Sequence, residues 1–152
     1  MRNLFSERHS NRLKHTAAIG SGVAATLPMT LVMFPPFVRA ARKVDIFRIL
    51  GGLFTSVDSL AVFLGAGLHL GAGGLFGLSY AQLWQTGYGK ASLKWGMIFG
   101  ACHGVLASIS MMFLLMAHPR RPQSWRLTNV VTYIAAHLVF GTLVAALYRP
   151  RR

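Results

Sequence analysis

Acid is what this chain has least of: Glu7, Asp45 and Asp58 are its three carboxylate side chains, against sixteen Lys and Arg in 152 residues. No carboxylate pair, Ser-His-Asp set or phosphate-cradling glycine loop can be assembled from it, so a non-enzymatic role is expected. The one cysteine, Cys102, excludes an internal disulfide. It adjoins His103, but neighbouring side chains on a helix point about 100° apart. Zinc asks for three or four converging ligands, and no metal site is expected. Charge of either sign is scarce as well. The chain is 12% charged and 53% hydrophobic, whereas soluble domains carry about a quarter of charged residues. An ordinary soluble domain is thereby excluded.

What is present is a set of long apolar runs. Residues 59–89 and 95–119 contain no Lys, Arg, Asp or Glu, and a bilayer span needs roughly 20 apolar residues. The runs predict an all-α membrane protein with four transmembrane helices near 16–37, 60–84, 95–117 and 128–148. They form a single domain over 16–152, preceded by a basic tail over 1–15 with no helical stripe and no assigned secondary structure. Pro28 lies inside the first span and predicts a kink. The basic start of that span could pass for a signal peptide, but its Gly22 to Met29 motif recurs in the third span, so it is read as a permanent helix.

The net charge of +13 would suggest nucleic acid in a soluble protein. Here the basic residues flank the spans, in tails and turns, where anionic headgroups reward them by about 1 kcal/mol each near the surface. Arg12, Lys14, Lys90, Lys94, Arg149, Arg151 and Arg152 are the expected headgroup contacts, and the bilayer rather than nucleic acid is the expected partner. Tails and middle loop hold nine basic residues against seven in the other two loops. That bias predicts both termini in the cytoplasm and location in a bacterial inner membrane. Trp84, Tyr88, Trp95, Trp125 and Tyr148 lie at span ends, as an interfacial aromatic belt requires.

Two spans share a pattern, His69-Gly73-Phe76-Tyr80 and His137-Gly141-Val144-Tyr148, with offsets that place each set on one helix face. Upstream, Gly22 to Met29 echoes Gly104 to Met111. The chain therefore reads as two repeated helical hairpins. Gly22 precedes His69 by 47 residues and Gly104 precedes His137 by 33, so the first connection carries an insertion. That insertion is apolar with an amphipathic first half, which predicts a short helix lying on the membrane surface, or else a segment that packs over the bundle or extends the second span. Asp58 is expected to cap the second span, and His9, His15 and His118 are expected at the surface.

Close helix approach replaces the hydrophobic drive in lipid, and small residues permit it. Gly96, Gly100 and Gly104 repeat every fourth residue of the third span, Gly141 lies in the fourth, and Gly67, Gly71, Gly73 and Gly77 cover two faces of the second. The second span is therefore expected to have neighbours on several sides. His69 and His137 fall near mid-span at matching places in the two halves. Most intramembrane histidines hydrogen-bond between helices, and no cofactor is required by the sequence. The alternative is haem b held by His69 and His137, with Gly73 and Gly141 leaving room for the porphyrin.

The Gly-x-x-Ala-Thr-x-x-Met run of the first span, the Asp45-Ile46-x-Arg48-x-Leu50-Gly51 segment and the His-x-x-x-Gly-x-x-x-x-x-x-Tyr pattern together resemble a family of small bacterial four-helix membrane proteins of unknown function. Pro28 and the basic N-terminus depart from that pattern. The resemblance implies architecture and carries no activity. Three roles follow from the residues: an accessory or assembly subunit of a larger membrane complex, associating with other subunits or itself; a b-type electron-transfer protein; and a small transporter or channel protomer.

Overall fold

A computed structural model describes residues 4–33, 45–119 and 127–148, with side chains from residue 14 onward. Five helices account for nearly all of these: α1 Leu4–Met33, α2 Ile46–Gly52, α3 Asp58–Gln85, α4 Leu93–Ala117 and α5 Leu127–Leu147. Four are long and apolar enough to cross a membrane, with α1 contributing its Lys14–Met33 portion. The four expected spans correspond to α1, α3, α4 and α5. The N-terminal boundary differs: α1 extends back to Leu4, through the segment for which the sequence showed no stripe. A helix that leaves the bilayer into water or headgroups needs no apolar face there, which is why periodicity missed it. The last residues expected in the first span, 34–37, lie outside the described residues. Pro28 sits within continuous helix.

Backbone-close packing pairs α1 with α3 and α4 with α5, and α1 also meets α5. Each hairpin is thus a packed pair, and α1 joins the two pairs. Glycine makes the approach close. A Cβ on Gly22 would collide with the backbone of Gly73, and one on Gly77 with the backbone of Ala18 and Gly22. In the other pair, Gly96 and Gly141 face one another's backbone, Gly100 faces the carbonyl of His137, and Gly104 abuts Ile134. Gly67 and Gly71 depart from expectation, because no atom lies within 4 Å of where their Cβ would be. Among the described residues nothing packs on these two glycines, so the expected packing role is not met there.

Helices α3 and α4 are joined by a tight turn in which Gly87 and Gly89 adopt φ of +93° and +87°. That left-handed conformation is costly for any residue with a Cβ. A Cβ on Gly89 would also strike the ring of Trp95. Along their length α3 and α4 meet mainly through aromatic side chains. Phe99 lies 5.5 Å from Tyr80 and stacks nearly parallel on Trp84 at 6.0 Å, between ring centres. At the same end of the bundle, Gln85 Nε2 donates to the Tyr148 hydroxyl at 2.9 Å.

The insertion in the first connection includes α2. Asp45 caps it, its carboxylate accepting from the amides of Phe47 and Arg48. Of the two placements expected, α2 takes the packed one: Gly51 meets the backbone of Ala61, Gly65 meets the backbone of Phe47, and Ile46 and Ile49 are buried. Arg48 pairs with Asp45 and Asp58, tying α2 to the start of α3. Asp58 is the first residue of α3, and Val57 holds the cap position, so the expected cap is instead an ion-pair partner. His118 is another correction. It is buried, with Nε2 3.1 Å from the carbonyl oxygen of Ile49, because α2 covers the end of α4 where the sequence suggested an open surface.

Candidate functional site

Where α3 and α4 separate, on the α2 side of the aromatic cluster, a cavity of about 320 Å³ opens. His69 of α3, His103 of α4 and His137 of α5 all line it. Helical rise explains the convergence. His69 lies ~16 Å into α3 and His137 ~15 Å into α5, and both helices start from the same side at 1.5 Å per residue. Counted back from the end of α4 on that side, His103 lies ~21 Å deep. The sequence therefore placed His69 and His137 at one depth correctly. It passed over His103, whose signal was there to be used: a third histidine within a charge-free span at nearly the same level.

Each ring is held differently. His137 is buried, and its Nδ1 lies 2.7 Å from the carbonyl oxygen of Tyr133. A carbonyl only accepts, so Nδ1 carries the proton and, in a neutral ring, Nε2 is left as an acceptor. His103 meets the Tyr80 hydroxyl through Nδ1 at 3.2 Å. Its ring is 4.5 Å from that of His137 and 3.8 Å from Phe76, between centroids. His69 lies edge-on to Phe47 of α2 at 5.7 Å, and its Nε2 is buried without a hydrogen-bond partner among the described residues. Protonated imidazole is expensive at this depth in lipid, so three neutral rings are the arrangement the surroundings favour. A buried polar atom left unpaired costs roughly 1–3 kcal/mol.

Among the described residues no lysine, arginine or carboxylate lines the cavity; beyond the histidines, Ser110 and Tyr133, its walls are apolar. Phe76 and Leu106 line it and also reach the outer surface, with 42% and 63% of their areas exposed, so its rim faces the lipid. Among the described residues no three His, Cys, Asp or Glu side chains converge as metal ligands.

One feature of the expected haem arrangement is not found. Gly73 and Gly141 were to leave space for a porphyrin, but a Cβ on Gly73 would strike Thr26 of α1, and one on Gly141 would strike Gly96 of α4. Both glycines are used up by helix packing. His69 and His137 do share one cavity, as that arrangement requires, but the room around them is of another kind.

Of the expected headgroup contacts, Lys90 and Lys94 are exposed beside the α3–α4 turn, and Lys14 is half-buried. Arg12 lies in the part of α1 described by its backbone, and Arg149, Arg151 and Arg152 lie outside the described residues. Comparison with protein-family models, with curated proteins and with solved structures finds no match to the chain.

Proposed function

We propose that the protein is a non-catalytic accessory subunit that docks on another membrane helix through the Gly67–Gly71 face of α3. The observation behind this reading is the contrast between two glycine faces of one helix. Gly73 and Gly77 are filled by α1, while Gly67 and Gly71, at the spacing that lets helix backbones approach, meet nothing among the described residues. Phe63 and Leu75, a turn to either side, are 77% and 66% exposed. The bias of basic residues supports a bacterial inner-membrane location with cytoplasmic termini.

A photo-crosslinking residue at position 63 or 75, in cells, tests this reading. A discrete adduct is expected there, absent when the crosslinker replaces the lipid-facing Val131 of α5, and lost in a Gly67→Leu/Gly71→Leu variant whose melting is unchanged. Equal crosslinking at all three positions, or none, would remove the proposal.

A further inference from the structure

The cavity between α3 and α4 has no part in docking through Gly67 and Gly71, and its chemistry points to a ligand. Among the described residues no charged side chain lines it, which disfavours both anionic headgroups and cations. Its rim faces lipid beside Phe76 and Leu106, so an occupant would arrive from the bilayer. Phe76, Phe140 and Tyr133 give it aromatic walls, which favour a flat ring. The polar groups then set the ligand's functional groups. His137, with Nδ1 committed to the Tyr133 carbonyl, offers a bare Nε2 that takes a hydrogen bond from a hydroxyl. The Tyr80 hydroxyl lies 3.2 Å from Nδ1 of His103 and must place its own proton on an acceptor, so we assign it as the donor there; with that assignment Nε2 of His103 carries the ring proton and gives a hydrogen bond to a carbonyl. Neither Nε2 has a hydrogen-bond partner among the described residues.

From this geometry we infer that the cavity binds the flat, uncharged head of a lipid-soluble quinone or quinol. A carbonyl oxygen of the quinone accepts from His103, and a hydroxyl of the quinol donates to His137. The two redox forms thus engage different histidines of one site. The bilayer carries the ligand's tail past Leu106, and no charge needs to be buried. A cavity of this size suits one ring with its substituents.

The test uses the full chain in lipid nanodiscs, titrated by calorimetry with a benzoquinone bearing a short alkyl chain and with the corresponding quinol. Saturable 1:1 binding is expected for both. His103→Phe should weaken the quinone at least tenfold and the quinol less, and His137→Phe should show the reverse bias. Ala107→Trp, which fills the cavity while leaving all three histidines in place, should abolish both. Helical melting of each variant identifies any that fail to fold, and the bias between the two forms is then read from those that do. Wild-type protein that is folded yet shows no saturable binding would overturn the inference. So would binding indifferent to all three substitutions. A Soret band on added haemin that is lost in His69→Ala and His137→Ala would assign the cavity to haem instead. None of these outcomes bears on the crosslinking at positions 63 and 75, so the two proposals fail separately.

Discussion

Helices α3 and α5 carry the same His-x-x-x-Gly face, yet their partners meet it in different ways. On α3, the missing Cβ of Gly73 is replaced by the side chain of Thr26, itself fully buried and bonded to the carbonyl of Gly22 at 2.8 Å. On α5, the missing Cβ of Gly141 is replaced by the backbone of Gly96 and Gly100. A threonine fills one groove; a bare helix fills the other. The partners also sit in an unexpected register. Gly22 touches Gly73 and Gly77, and the residue making the matching contacts, to Gly141 and Ala145, is Gly96. The echo in the sequence pairs Gly22 with Gly104 instead, eight residues further on, or ~12 Å along the helix. Similar motifs have been put to use two turns apart.

This difference sets the order of expected effects. Gly141→Ala should be the most damaging, because the new methyl meets backbone that no rotamer change can move. A loss of about 3 kcal/mol is expected in thermal or denaturant unfolding in detergent. Gly73→Ala should cost less, about 1–2 kcal/mol, since the obstructing atom is a hydroxyl. Adding Thr26→Ala should recover much of that loss in a double-mutant cycle, while no side-chain trimming on α4 should rescue Gly141→Ala. If Gly73→Ala is equally severe with and without Thr26→Ala, the contrast between the two grooves fails.

Smaller effects should come from the end of the bundle, where one hairpin has α2 and the other has no counterpart among the described residues. His118→Ala removes the bond to the Ile49 carbonyl and leaves that oxygen unmet, for a loss of about 1–2 kcal/mol. The sharper readout is local: amide exchange over α2 should quicken while that of α5 is unchanged. Arg48→Ala should be the mildest, about 0.5 kcal/mol, because Arg48 and both carboxylates are substantially exposed. An Arg48→Ala loss exceeding that of His118→Ala would mean that charge, rather than burial, holds α2 in place.

The parts of this arrangement legible in the sequence are those that depend on one helix at a time. Charge-free runs marked α3 and α4, and offsets of three and four marked the faces of Gly73, Gly77 and Gly141. The level of His69 and His137 follows from counting residues. What escaped depends on which helices become neighbours. Gly67 and Gly71 looked the same as Gly73 and Gly77 because spacing says that a face is small, not that anything covers it. His118 looked like a surface residue because nothing in its own segment announces α2, which is brought over it from 69 residues away. The role of His103 needed the separation of α3 from α4, a property of the whole bundle. Asp58 was misplaced by a single residue, which was enough to exchange a cap for an ion pair.

The contact between α1 and α5 joins the first and the last of the described helices. During synthesis α1 reaches the bilayer with one neighbour soon to follow and the other still to be translated. Its α5-facing side must be tolerated by lipid until α5 emerges. Assembly of this bundle is therefore completed only once α5 has been made, and a chain stopped after α4 would hold a packed first hairpin beside a helix still awaiting its glycine partner.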